Sequence, residues 1–128
     1  IAIPRPPSVV LGKSLHAGVC WPMNGSTGHL GLRLPSAMHV THISIDHIPL
    51  DLTEDIQAAP RDLVLWGLSE DLVPLASISY DIYAPAYRQL FETDVRFQAL
   101  SFDMLVLEVL SNWGASEFTC LYSVRLQG

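Results

Sequence analysis

Apolar runs of four to eight residues recur about every ten positions along this chain, and proline, glycine or clustered polar residues interrupt each one before a helical period can establish itself. Leucines at 30, 32 and 34 alternate with polar neighbours, as do Thr41, Ile43 and Ile45 within Val40 to Asp46, and two denser runs follow at 62–66 and 104–110. Period-two patterning of this length is the signature of strands, and no stretch repeats apolar residues at helical spacing. Regularly spaced short strands without intervening helices predict an all-β fold, an antiparallel β-sandwich of jelly-roll type, as a single domain over 1–128.

In chain order, 1–7 (IAIPRPP) reads as an extended arm, because three prolines remove amide donors and bias their neighbours away from helix. Ser8 to Leu11 reads as a strand, Gly12 to Val19 as a loop, and Pro22 to Gly28 as a turn cluster. Pro35 to Ala37 is expected to turn the chain. His47 to Pro60 is read as an exposed excursion with at most one helical turn capped by Thr53. Asp62 to Trp66 reads as a strand buried on both sides, Leu75 to Tyr80 as another, and Leu90 to Gln98 as containing a short one. From Phe118 onward, Phe118, Cys120, Tyr122, Val124 and Leu126 fall in one register, which predicts a single final strand.

Several function classes are excluded by charge. The chain carries −6 overall, with seven Lys and Arg residues among 128. One lysine and six scattered arginines form no basic stripe, which argues against nucleic acid and against an anionic membrane surface as partners. No run approaches the roughly 18 apolar residues needed to span a bilayer, so membrane anchoring is expected only through segments outside this sequence. Nearly half the residues are apolar and 16% are charged, the composition of a packed domain.

Catalytic and metal motifs are weak. His39 and His42, or His42 and His47, would point to opposite faces of a strand, so a metal site shared with Asp46 is disfavoured. Glu54/Asp55, Glu70/Asp71 and the acidic stretch from Asp51 to Asp55 read as solvated loop. Gly25 to Gly28 (GSTG) precedes a strand where a phosphate loop needs a helix, and is a hairpin turn instead. No nucleophile motif is present and no enzymatic activity is expected. Cys20 and Cys120 fit no zinc or CxxC spacing; a disulfide and two buried thiols are equally compatible with their separation. Trp21, Trp66 and Trp113 are core candidates first and a carbohydrate platform second.

Taken together, CWPMNGSTGHLGLRL (Cys20 to Leu34), DHIP (Asp46 to Pro49), AAPRDLVLWG (Ala58 to Gly67), SYD (Ser79 to Asp81) and SNWGASEFTCLYSVRLQG (Ser111 to Gly128) strongly resemble the SUN domain, in order and over almost the whole chain. The resemblance implies a β-sandwich on the luminal side of an inner-nuclear-membrane protein, trimeric above a coiled coil. Its partner would be the C-terminal tail of a KASH-type protein of the outer membrane. Together these make the LINC bridge, which couples nucleus to cytoskeleton. The family's lid, coiled coil and transmembrane segment would precede these residues, so that the 128 residues alone are compatible with a monomer.

Site by site, the resemblance implies a disulfide between Cys20 and Cys120. It implies a monovalent cation such as potassium (K+) held by the backbone carbonyls of Val9, Gly12, Ser14, Val19 and Tyr122. The loop holds Lys13 and no acid, and a lysine there could take the ion's place. The partner's terminal carboxylate would be received near His47, Ala58, Phe118 and Tyr122. The family pattern has serine and tyrosine where this chain has Ala58 and Phe118, which leaves Tyr122 as the remaining hydroxyl. Two alternative functions stay open at this stage: an ER-luminal SUN-like protein without a KASH partner, and a glycan-binding jelly-roll module.

Overall fold

The computed structural model describes residues 20–47 and 56–128. Nine strands are placed in them: β1 (Trp21–Asn24), β2 (Gly28–Met38), β3 (His42–Asp46), β4 (Asp62–Leu68), β5 (Leu72–Ser79), β6 (Arg88–Glu92), β7 (Phe102–Val109), β8 (Phe118–Leu121) and β9 (Ser123–Gln127). Two short 3-10 turns accompany them, Ile56–Ala58 and Val95–Phe97. All pairings are antiparallel. One sheet runs β2-β7-β4-β5, a second runs β6-β3-β9, and β1 pairs with β8 in a two-stranded ribbon.

The sandwich core follows from the alternation in these strands. Ile43 and Ile45 from β3 and Val124 from β9 meet Leu30, Leu32, Leu63, Leu65, Leu105 and Leu107 from the four-stranded sheet. Each of these is at most 2% exposed, and burying side chains of this size stabilises by roughly 1.5–3 kcal/mol apiece before chain entropy is set against it. Among the described residues no helix is long and apolar enough to cross a membrane.

Four strand-level expectations are corrected. β4 is central but one-sided: Leu63, Leu65 and Gly67 are buried while Val64 and Trp66 are half-buried, because its second face lies outside the sandwich and Trp66 there donates its indole N–H to Glu108 at 3.1 Å. Pro35 to Ala37 does not turn the chain. β2 continues through it to Met38, with a register shift between Arg33 and Met38; β2 is a sheet edge, where a missing amide donor costs little. Pro22 lies within β1, and the turn it was assigned to contracts to the residues before Gly28. The last strand is two strands, since β8 ends at Leu121 and β9 starts at Ser123. The predicted segments at 1–19, Thr53 and the acidic stretch 51–55 lie outside the described residues.

Candidate functional site

Tyr122 sits in the gap between β8 and β9, where the chain leaves β1 as its partner and joins β3. That change of partner also changes the phase of the side chains. Cys120 and Tyr122 belong to a small cluster with Cys20 and Ala58, against which Ala115 and Phe118 pack, whereas Leu121 and Val124 enter the main core. The trio Phe118, Cys120 and Tyr122 therefore shares one face as its spacing predicts, while Val124 and Leu126 have moved to the other.

Cys20 and Cys120 are joined by a disulfide, with Cα atoms 5.6 Å apart. Ala58 is brought to it by the 3-10 turn and by two backbone bonds that lay segment 57–59 along the loop after β7: Ala115 N–H donates to Gln57 O at 3.1 Å and Trp113 N–H to Ala59 O at 3.1 Å. That loop is held by Asn112, whose amide donates to Ala115 O at 2.8 Å and to Thr119 Oγ1 at 3.0 Å, and whose Oδ1 accepts from Gly114 N at 3.0 Å. Gly114 has φ of 128°, a conformation that side-chain-bearing residues rarely adopt. Thr119 completes the lock by donating to Gly25 O at 2.9 Å.

His47 reaches the cluster from the end of β3. It is 1% exposed, and its ring meets Tyr122 edge-on with centroids 4.7 Å apart and planes at 81°. Tyr80 lies on another side at 6.3 Å. The Tyr80 hydroxyl donates to Tyr87 O, and burial first, with a smaller contribution from the Asp46 charge, pushes its pKa up to about 12 against the opposing hydrogen bond from the His47 backbone. Asp46, whose side chain is fully buried, accepts from Arg88 Nε at 3.0 Å and pairs with Arg125 Nε at 3.7 Å.

The four residues singled out for a partner tail thus converge: Ala58, Phe118 and Tyr122 share one cluster and His47 abuts Tyr122. Of the five carbonyls expected around a cation, those of Val9, Gly12, Ser14 and Val19 lie outside the described residues. The histidines do not gather: His39 Nδ1 is 3.2 Å from Leu100 O and His42 Nδ1 is 3.0 Å from Thr41 Oγ1, and among the described residues no metal-binding cluster forms. Asp46 is an arginine partner instead. A cleft of about 400 Å³ between β5 and β6, lined by Pro74, Ser77, Glu92, Thr93, Asp94 and Arg96 among others, shares no residue with the candidate site.

Sequence comparison decides the family. The family model described as Sad1 / UNC-like C-terminal matches residues 4–128.

The chain belongs to this family.

It is 34% identical to human SUN domain-containing protein 1 over 95% of this chain and 16% of that protein. It is 33% identical to human sperm-associated antigen 4 protein over 97% of this chain and 29% of that protein, and 32% identical to the Drosophila melanogaster Klaroid protein over 95% and 13%. The chain thus spans less than a third of the length of these relatives. Among solved structures, the family 32 carbohydrate-binding module of Streptococcus pneumoniae EndoD superposes with a TM-score of 0.67 at 14% identity, covering 90% of this chain and 77% of that one. The carbohydrate-binding module of AlyQ in complex with 4,5-unsaturated mannuronic acid gives 0.68 at 12%, covering 94% and 84%. These likenesses establish the jelly-roll-like sandwich and nothing beyond it.

The arginine pair on Asp46 and the lock around Asn112 were not anticipated. The quoted SNWG motif contained Asn112 and Trp113 but gave no hint of their bonding partners, since Asn112 reaches Thr119 and Trp113 donates its indole N–H to Tyr80 O at 2.9 Å.

Proposed function

We propose that this chain is a luminal SUN domain that receives the C-terminal tail of a KASH-type protein, bridging the two nuclear membranes as a tether and not as an enzyme. The observation that carries this reading is the convergence of His47, Ala58, Phe118 and Tyr122 beside the Cys20–Cys120 bond. A tail end lying there packs first on the half-buried Phe118, with Tyr122, Ala58 and His47 buried behind it and a backbone locked by Asn112 beside it. With Ala58 and Phe118 in place of hydroxyl-bearing residues, Tyr122 is the group that meets the terminal carboxylate.

The test is a titration of the full chain with KASH-type tail peptides, each made as free acid and as amide. Free-acid binding is expected to weaken by roughly 10- to 100-fold in Tyr122→Phe, the loss of a charge-assisted hydrogen bond. Equal affinity for acid and amide in the wild type would refute carboxylate capture, and absence of binding would refute the tether.

Two further parts complete the proposal. The parent protein is a homotrimer of the inner nuclear membrane, facing the perinuclear lumen. A monovalent cation, potassium foremost, is held by the carbonyls of Val9, Gly12, Ser14, Val19 and Tyr122; Tyr122, the described member of that set, falls outside the ladders of both neighbouring strands, compatible with a carbonyl turned to a ligand. When bound, the ion would tie residues 9–19 to the start of β9. Thermal unfolding in potassium against N-methylglucamine checks this, with a lower midpoint expected in the latter.

A further inference from the structure

Close to the Tyr122 cluster, but not part of it, three side chains stack at the end of the sandwich. The Arg61 guanidinium lies 4.4 Å from the centroid of the Trp113 ring, and Tyr83 meets the same indole edge-to-face at 5.6 Å, with planes at 88°. Trp113 is fixed in place by its own bonds, the backbone N–H to Ala59 O at 3.1 Å and the indole N–H to Tyr80 O at 2.9 Å. Tyr83 is fixed through its loop. Its N–H donates to Asp81 Oδ1 at 2.9 Å, and the Gln89 side chain clamps the loop by donating to Asp81 O at 2.7 Å and Ala86 O at 3.1 Å while accepting from Asp81 N at 3.0 Å.

Nothing in the fold requires Tyr83 to be where it is. Its residue is 76% exposed, a large aromatic left in solvent on a loop that is itself held by hydrogen bonds. Among the described residues, no carboxylate pairs with Arg61. The adjacent acids are engaged elsewhere: Asp62 Oδ2 accepts from Ser111 Oγ at 3.0 Å and Asp81 Oδ1 from the Tyr83 amide. In a chain of net charge −6, an exposed cation held over an indole, with its neighbouring acids turned to other donors, is complementary to a carboxylate brought from outside. Tyrosine, tryptophan and arginine are also the residues in which binding energy concentrates at protein interfaces.

We propose that Arg61, Trp113 and Tyr83 form a second contact for the partner tail and take an acidic side chain of the extended peptide. This rests on the reading of the Tyr122 cluster as the seat of the tail end. Arg61 is three residues from Ala58, a reach of no more than about 10 Å, so the acidic residue falls within about five residues of the peptide's carboxyl end.

The probe is a set of KASH-type tail peptides with Asp, Asn or Arg installed in turn at each of the last several positions, titrated against the full chain. Wild type should prefer Asp to Asn by about fivefold at one position, the scale of an exposed ion pair. Arg61→Glu should reverse the preference to Arg at that same position. Tyr83→Ala, which removes an exposed side chain, should weaken the best peptide by roughly tenfold; circular dichroism checks folding, and Arg61→Gln, which should abolish the preference without reversing it, provides a second variant.

An absence of Asp preference in a wild type that binds the peptides overturns this contact and leaves the tail pocket standing, as does a preference that survives Arg61→Glu. Failure of every peptide to bind removes both readings. Binding of a uronate-bearing oligosaccharide that Tyr83→Ala abolishes, with no peptide dependence on Arg61, replaces the tail contact with a glycan site.

Discussion

Gly67→Ala tests the packing between two neighbouring strands of the four-stranded sheet, β4 and β7. Gly67 lies in β4, paired with Val73 of β5 and Leu105 of β7, and a Cβ there would meet the Phe102 ring at 2.7 Å from Cε1 and 2.8 Å from Cδ1 and Cζ. Phe102 is 4% exposed and part of the main core, so its ring has no open side toward which to swing. Ordinary contact between carbon atoms is about 3.5–4.0 Å, which requires the ring to retreat by roughly 0.8–1.3 Å. Overpacking of this kind costs about 1–3 kcal/mol, and the entropy removed from the unfolded chain by the methyl group returns about 0.4–1. The expected net loss is about 1–2 kcal/mol, a fall in Tm of roughly 4 °C per kcal/mol for a domain of this length. Urea unfolding followed by intrinsic fluorescence measures it, and Phe102→Leu supplies the control: in the double variant the two penalties should fall short of additivity by at least about 0.5 kcal/mol. A Gly67→Ala protein as stable as wild type would refute the clash, and strict additivity would locate the cost somewhere other than Phe102.

Reducing the Cys20–Cys120 bond, or replacing both cysteines by serine, opens a loop of 100 residues and should lower stability by up to ~4.7 kcal/mol in the chain-entropy model, read as the shift of the urea midpoint with and without reductant. Tyr80 should make the fold sensitive to alkali: its folded pKa of about 12 exceeds its ordinary value of 10.0, so its contribution is intact below pH 10 and is lost as pH rises through about 12. Tyr80→Phe should flatten that part of the urea midpoint against pH, and an unchanged profile would exclude Tyr80 as the cause. Arg88→Met removes the 3.0 Å donor to a fully buried Asp46 and should cost about 1.5–3 kcal/mol in chemical denaturation. Adding Asp46→Asn should restore part of it by removing the charge left behind.

The strands were legible where one face is wet and one is dry, as in the first half of β2, where buried Leu30 and Leu32 alternate with exposed His29, Gly31 and Arg33, because alternation is then enforced residue by residue. β4 misled because Val64 and Trp66 are apolar on its outer face, where half-burial under neighbouring side chains tolerates them. The proline in β2 was given the meaning of a turn although an edge strand accommodates it at a register shift, and edge position is a property of the sheet, not of the segment. The final strand was half legible: spacing put Phe118, Cys120 and Tyr122 on one face, but the break at Tyr122 depends on a change of partner from β1 to β3, strands far upstream in the sequence. The proposed tail site was visible only through family resemblance, since Ala58 carries no chemistry that would mark it. The ion pair of Asp46 with Arg88 spans 42 positions and left no local trace.

The placement of the disulfide bears on how a pull would travel through this domain. A displacement of the backbone at Cys20 crosses one covalent bond to Cys120 and is then two residues from Tyr122, the residue proposed to meet a partner. The ladders of the two larger sheets lie off that line, so the hydrogen-bonded sandwich serves as a frame around this covalent link and not as a part of it.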